Sequence, residues 1–345
     1  MNPLRVAVVG VGHLGKEHAR VYRDIEGVEL VAVADIDADT ARQVAKKNRT
    51  EAVFDYRSLV GRMDAVSVAV PTTAHHEVAG FFLDRGVHVL VEKPMTRTAA
   101  EAADLVARAA RSRRKLAVGH IERFNPAVQA VQRMGIEPKY IESHRISPFP
   151  SRSADVGVVL DVLIHDLDII LSFVRAPIER IDALGIGVLG ELEDIANARI
   201  TFADGCVANA TASRVSLKRE RKIRIFAENV YISLDYEARR AKLYRKSPEL
   251  TLERLNVQRL DPRALKDLKD LIFGKLVTIE DVKMDEHEPL AKELESFVDA
   301  VREDRPPAVS GEDGLRVVET AEAIVGKIRE HLTRHGRGPT GDKRT

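Results

Sequence analysis

A single cysteine, Cys206, stands in a chain of 345 residues, which excludes an internal disulfide and suits a reducing compartment. Neither sign of charge is in excess: 54 Lys and Arg face 53 Asp and Glu. No global basic field therefore exists to hold nucleic acid or an anionic membrane. Long apolar runs are missing too, and none approaches the roughly 20 residues that span a bilayer. The chain enters a strand-like segment at residues 4–9 without the basic region, apolar stretch and cleavage site of a secretory signal. The expectation is a soluble, cytoplasmic protein with no nucleic-acid and no membrane partner. There is no internal repeat and no long linker, and the length suits about two domains of ~150 residues.

What is present is, first, an alternation of short apolar strands with amphipathic helices. Strands are expected at residues 5–10, 30–35, 65–70, 87–92 and 116–119, with helices at 15–24, 39–47, 75–86 and 99–112. That rhythm belongs to a parallel sheet covered on both faces. Thr73 is placed to cap the third helix and Thr98 the fourth. The rhythm changes near residues 123–126. A strand at 139–147 leads into a Pro/Ser-rich loop at 147–153, and an unusually apolar helix follows at 160–174. Strands 195–202 and 206–215 then flank Asp204-Gly205, and strands 221–227 and 230–234 flank Glu228-Asn229, both hairpin signals. Helices return at 289–303 and 311–331, and 336–345 reads as a polar, frayed tail.

The fold class expected is α/β: an N-terminal Rossmann parallel sheet (1–122), then a C-terminal α+β domain on an open, mostly antiparallel sheet (123–335). The C-terminal helix is allowed to pack back on the first domain. Two basic clusters, 111–115 and 218–224, are better read as structure than as a nucleic-acid surface. The first ends a helix, where cations suit the macrodipole. In the second, Lys222 and Arg224 alternate with Ile223 and Ile225, as on a strand with its isoleucines inward.

Gly10-Val11-Gly12-His13-Leu14-Gly15 lies between an apolar strand and a helix. Gly10 allows a tight turn, Gly12 lets the backbone approach a pyrophosphate, and Gly15 lets helix pack on strand. Asp35 ends the next strand at the spacing of the carboxylate that binds an adenosine ribose 2′-OH. A 2′-phosphate would be repelled there, so the expected cofactor is NAD rather than NADP. His18, on the first helix, reads as a packed or partly exposed histidine. Pro71 and Thr72 end the third strand, facing the edge where ligands bind open sheets. His75 or His76 either lines the nicotinamide side or is a solvated helix-start histidine.

Glu92-Lys93-Pro94 follows the apolar run 89–91, so Lys93 emerges at the C-terminal edge of the sheet. An ammonium beside nicotinamide and a substrate hydroxyl would stabilise a developing alkoxide; a surface ion pair is the plainer alternative. On the apolar helix, Asp161 and His165 are four apart and share a face, with Asp168 a turn further on. Asp161 can orient the imidazole of His165 as a proton acceptor. A satisfied core histidine is the alternative. A metal centre would need further convergent ligands, and without zinc-type spacing none is expected. Arg123, Arg145 and Arg152 offer guanidinium groups for a diphosphate.

With Gly10 to Gly15, Glu92-Lys93-Pro94 and Asp161-x-x-x-His165 in this order, nearly the whole chain resembles the glucose–fructose oxidoreductase/inositol dehydrogenase/rhizopine-catabolism family. The resemblance continues through Pro307-Ala308-Val309-Ser310-Gly311-Glu312-Asp313-Gly314. It implies catalytic positions at Lys93 and His165, with Asp161 orienting or binding substrate. It places cofactor contacts at Gly10, Gly12, His13, Leu14, Gly15, Asp35, Pro71, Thr72, His75, Glu92 and Lys93. It also implies assembly through the flat sheet face into a homodimer or homotetramer. The segments Gly119-His120-Ile121-Glu122-Arg123-Phe124-Asn125-Pro126 and Pro148-Phe149-Pro150-Ser151-Arg152 resemble the bacterial UDP-N-acetylglucosamine 3-dehydrogenase subgroup. That resemblance implies a nucleotide-sugar substrate, contacts from Arg123, Asn125 and Arg152, and a downstream aminotransferase serving lipid A synthesis. An inositol or free-sugar dehydrogenase, and a non-catalytic sugar sensor that binds NAD, are the alternatives.

Overall fold

The computed structural model describes residues 2–149, 156–190, 192–246 and 277–334. Arg152 and the tail at 336–345 lie outside them. The chain divides into two compact units, one made of Met1–Phe124 with His287–Ala323, the other of Asn125–Glu286 with Ile324–Thr345.

The first unit is built on β1 (Leu4–Val9), β2 (Val28–Ala34), β3 (Glu51–Val53), β4 (Ala65–Val68), β5 (His88–Glu92) and β6 (Leu116–Gly119). They form a parallel sheet in the order β3-β2-β1-β4-β5-β6. Helices α1 (Gly15–Asp24), α2 (Ala38–Asn48), α3 (Thr72–Leu83), α4 (Ala99–Ser112) and α7 (Pro289–Arg302) surround it. Because both faces are covered, alternate residues of each strand enter different cores, and the strands read as continuous apolar runs. Val6, Val8, Leu90 and Ala117 pack with Ala19 and Tyr22 of α1 and Leu294, Phe297 and Val298 of α7. Ala7, Val9, Val66, Val89 and Val91 pack with Ala79, Phe82 and Leu105 of α3 and α4. The strand order reverses beside β1, which puts the loop after β1 at the topological switch point.

Asp37 caps α2 by accepting from the backbone N–H groups of Asp39 and Thr40, and Thr98 caps α4 through Glu101 N–H. Thr73 does not cap α3. That helix starts one residue earlier, at Thr72, with Pro71 in the cap position and no side-chain cap bond. Pro71 turns the chain there because its ring fixes φ, at −56°.

In the second unit, α5 (Pro126–Gln132) precedes β7 (Tyr140–Ile146), and α6 (Ile164–Phe173) precedes β8 (Ile178–Ile186). Then come β9 (Ile195–Phe202), β10 (Val207–Ser213), β11 (Glu220–Ala227), β12 (Val230–Asp235), β13 (Arg240–Lys246) and β14 (Val277–Asp281). The sheet order is β14-β13-β12-β11-β7-β10-β9-β8. Only the β7–β10 pair is parallel. Both expected hairpins form: Gly205 takes φ +81° and Asn229 φ +62° between their strands. Ile223 and Ile225 are buried and Arg224 is exposed, so the second basic cluster is a strand with one solvated face. One face of this sheet is lined with small residues, Ala196, Ala198, Ala208, Ala210 and Ala212, all fully buried. The other carries a row of rings, Tyr140, Phe226, Tyr231 and Tyr244, with centroids 5.5, 4.7 and 4.8 Å apart.

The apolar helix expected at 160–174 is not one continuous α-helix. Val159–Leu163 is a π-helical turn, in which Ile164 N–H bonds to Val159 C=O, and α6 begins after it. One inserted residue widens the turn, so α-helical spacing does not describe how Asp161 stands to His165. Helix α8 (Gly311–Arg334) closes the described chain. No helix among the described residues is long and apolar enough to cross a membrane.

Candidate active site

In the first unit the glycine loop is shaped by close approaches. Gly10 sits at φ +82°, and a Cβ there would lie 2.6 Å from Val70 N. A Cβ on Gly15 would lie 1.8 Å from Gly10 O, so α1 meets β1 only because that residue is glycine. A Cβ on Gly12 would meet nothing within 4 Å, and Gly12, His13 and Leu14 are exposed. The first and third glycines thus serve the fold, and the second leaves open backbone at a helix N-terminus, where a pyrophosphate is held.

Asp35 follows β2 and is fixed by two backbone donors, Val11 N to Oδ2 at 2.8 Å and Asp37 N to Oδ1 at 3.0 Å. Each carboxylate oxygen keeps acceptor capacity for a ribose diol. Pro71 is exposed and Thr72 half-buried at the start of α3. These residues fit NAD, which would supply a hydride acceptor: Gly12 and the α1 N-terminus at the pyrophosphate, Asp35 at the adenosine ribose.

His75 is placed differently. Its ring is buried, with Nδ1 2.9 Å from Pro94 O and Nε2 2.8 Å from Val70 O. Both nitrogens face backbone carbonyls, so the histidine ties the Lys93-Pro94 segment to the end of β4. Burial lowers its proton affinity, against carbonyl contacts that raise it. His76 instead pairs with Asp104 at 2.7 Å on the outside of α3.

Glu92 ends β5 and turns inward. Its Oε1 lies 3.0 Å from His18 Nε2, and its Oε2 accepts the Lys93 backbone N–H at 3.2 Å. The carboxylate rests against Gly119, where a Cβ would come within 2.7 Å of Oε1. Burial pushes this carboxyl up, but the His18 hydrogen bond and the charges of His18, Lys93 and His75 outweigh it and hold it below its usual range. Glu293 of α7 completes the group: ligand-type atoms of His18, Glu92 and Glu293 all lie within 4.8 Å of one another, and all three residues are buried. Lys93 itself is half-buried.

In the second unit, Asp161 and His165 are half-buried, while Asp166 and Asp168 are fully buried. Asp166 holds Arg145, whose Nε and Nη2 donate to its Oδ1 at 3.1 and 2.9 Å. The Arg145 guanidinium also lies 4.9 Å from the centroid of the Tyr236 ring. The expectation that Arg145 would serve a diphosphate is corrected: it anchors α6, next to His165, on β7. Asn125 caps α5 through Ala127 N–H at 3.1 Å and donates to Tyr236 O at 3.2 Å. Arg123 is largely buried. Sequence reasoning took His18 for a packed histidine and did not single out Glu293. The signal for Glu293 was its place four residues before Phe297 on the apolar face of α7.

Comparisons with known proteins agree with this architecture. Residues 4–120 match the model of an oxidoreductase family with an NAD-binding Rossmann fold, and residues 137–233 match the GFO/IDH/MocA C-terminal domain. The UDP-N-acetylglucosamine 3-dehydrogenase of Acidithiobacillus ferrooxidans is 33% identical over 332 residues, 96% of this chain and 99% of that protein. Its crystal structure superposes with a TM-score of 0.84, covering 96% of this chain and 100% of the other. Inositol 2-dehydrogenase 1 of Saccharopolyspora erythraea is 38% identical over 136 residues, 38% of this chain and 40% of that protein. At 18% identity and a TM-score of 0.78, levoglucosan dehydrogenase shares the fold over 95% of this chain and 98% of its own. The chain belongs to the glucose–fructose oxidoreductase/inositol dehydrogenase/rhizopine-catabolism family and is an NAD-dependent dehydrogenase.

Proposed function

We propose that this enzyme oxidises the C3 hydroxyl of UDP-N-acetylglucosamine to the 3-keto nucleotide sugar. The observation that carries the substrate is the 33% identity to such a dehydrogenase across 96% of the chain. In this reading the hydroxyl proton passes to His165 and the carbon-bound hydrogen leaves as hydride to NAD, so the C–O bond becomes a carbonyl. Lys93, as an ammonium, stabilises the alkoxide as it develops. Asp161 orients His165 or binds the sugar. Arg123 and Arg152 engage the diphosphate, whose remote binding energy holds one hydroxyl in register. Asn125 supports that end of the substrate through the α5 cap rather than by a free amide.

A 3-keto sugar is the substrate an aminotransferase needs to make a 3-amino sugar, and lipid A synthesis is a use for that product. The single cysteine suits the cytoplasm for this step. The row of half-buried rings on one face of the sheet supports assembly into a homodimer or homotetramer, since aromatic residues are enriched at interfaces. The second reading is an inositol or other free-polyol dehydrogenase, favoured by the 38% identity over 136 residues to an inositol 2-dehydrogenase.

The test couples the enzyme to an aminotransferase with glutamate and UDP-N-acetylglucosamine, and looks for a 3-amino product by mass spectrometry. Lys93→Ala and His165→Ala should keep NAD binding and lose on the order of 10²–10⁴-fold in turnover. No amino product, together with robust NADH formation from inositol, would transfer the assignment to the second reading.

A further inference from the structure

We infer that Glu193 is a positioning residue: its carboxylate caps the π-helical turn that carries Asp161, and so holds Asp161 where the reaction uses it. This rests on the proposed role of Asp161 at His165 or at the sugar. The first N–H groups of any helix lack partners inside it. Here they belong to Val158 and Val159, both fully buried, so water does not reach them. Val158 stands in the cap position and offers no side-chain acceptor. Glu193, half-buried just before β9, supplies both acceptors from outside the helix. Its backbone carbonyl takes Val158 N–H at 2.8 Å, and its Oε1 takes Val159 N–H at 3.3 Å. Asp161 N–H in turn bonds to Gly157 O at 3.1 Å. The turn bearing Asp161 is thus built on the segment that Glu193 grips, and a carboxylate at a helix N-terminus also suits the dipole.

Gly157 makes room for this grip. A Cβ there would come 1.9 Å from Glu193 Oε1 and 2.5 Å from Oε2. Glu193 is itself anchored through its neighbour. Asp194 N–H bonds to Ile186 O at 2.8 Å, and the Asp194 carboxylate accepts Val188 N–H, Leu189 N–H and Arg214 Nε at 2.8, 2.7 and 2.8 Å. Arg214 Nη1 donates to Val156 O at 2.6 Å, which fastens the chain before the turn to the same anchor. Val156 O, Val158 N–H and Val159 N–H are therefore all held by Glu193 or by the Asp194–Arg214 pair. The turn so fixed is the one whose widened pitch sets how Asp161 stands to His165.

Glu193→Ala removes the acceptor at Val159. Gly157→Ala displaces the carboxylate, because the atoms its methyl meets are the movable end of a side chain. Each should lower kcat by about ten- to a hundredfold, the scale of loss from a misplacement of about 1 Å. Turnover is followed in the coupled assay with UDP-N-acetylglucosamine, or by NADH formation from inositol if the second reading holds. NAD affinity, a property of the first unit, should not change. Glu193→Gln keeps an acceptor oxygen and should restore most of the turnover. Two double variants complete the test. In the Glu193→Ala background, Gly157→Ala should cost nothing further, since its clash is gone. In the Asp161→Ala background, Glu193→Ala should cost nothing further, since nothing is left to position; Gly157→Ala takes its place if Glu193→Ala does not fold. A merely structural glutamate would lower Tm while kcat of the folded enzyme held. That result, or kcat losses that add to those of Asp161→Ala, overturns the inference. Asp161→Ala alone tells the two readings apart. If it keeps wild-type turnover, the role of Asp161 is wrong. If it loses turnover while Glu193→Ala and Gly157→Ala keep theirs, only the role of Glu193 is wrong.

Discussion

Replacing Gly12 and Gly15 by alanine, one at a time, should separate binding from folding within a single loop. At Gly15 the new methyl would lie 1.8 Å from Gly10 O, a backbone atom, so α1 and β1 must part by more than an ångström. Overpacking of this kind costs about 1–3 kcal/mol. With about 2–4 °C lost per kcal/mol in units of this size, Tm should fall by roughly 2–12 °C. At Gly12 the methyl would point into open space and φ is not positive. Stability there should hold, or rise by about 0.4–1 kcal/mol through the stiffer unfolded chain. The same methyl occupies the approach of the pyrophosphate, so NAD affinity should fall at least tenfold, about 1.4 kcal/mol. Thermal melts without cofactor and calorimetric titration with NAD read the two effects independently. A Gly12→Ala protein that binds NAD within twofold of the wild type would refute this reading of the loop, and so would a Gly15→Ala protein with unchanged Tm.

Asp35→Ala should narrow the preference for NAD over NADP in calorimetric titrations; equal or tighter NADP binding by the wild type would overturn the assignment of Asp35. Because Val11 N and Asp37 N both lose their acceptor, the variant should also lose about 1–3 kcal/mol of stability. Asp194→Asn should cost about 3–5 kcal/mol in denaturant unfolding, since it strips the charge from a buried pair with Arg214 at 2.8 Å. Burial pushes the Asp194 carboxyl up, but Leu189 N–H, Arg214 and Val188 N–H together hold it below its ordinary 3.8. Its contribution is therefore fully present above that pH and fades as pH falls through the depressed value. The variant should lose that part of the acid-unfolding slope, and an unchanged slope would show the pair to be idle.

The parallel sheet was legible because burial on both faces leaves a run such as Val89-Leu90-Val91 nothing polar to interrupt it. Asp35 was legible because its distance from Gly10 reflects the length of one strand–helix–strand step. The hairpins were legible because Gly205 and Asn229 tolerate positive φ. Strands β8 and β13 were harder to see: Ile178-Glu179-Arg180-Ile181-Asp182 breaks strict alternation, and Arg240–Lys246 is mostly polar. The π-turn at Val159–Leu163 has no composition signal, since it is a change in backbone hydrogen bonding under apolar side chains. Arg145 could have been placed correctly, because it shares strand parity with the buried Ile141 and Ser143 and so faces inward. The surroundings of Glu92 were not legible: its neighbour Lys93 drew the chemical argument, while its own carboxylate faces a histidine and a second glutamate that lie far off in sequence.

The Rossmann unit is discontinuous in sequence, and this governs how the chain leaves the ribosome. All six strands of its sheet have been made by Gly119, yet Leu294, Phe297 and Val298, which cover Val6, Val8, Leu90 and Ala117, arrive only with α7. Roughly 170 residues, from 119 to 289, separate the two. At about 5–20 residues per second that interval is on the order of ten seconds or more. Throughout it α1 and α2 can cover their share of that sheet face, but the apolar patch reserved for α7 is left to water, which makes the nascent chain a client for a holding chaperone until most of the second unit has been synthesised.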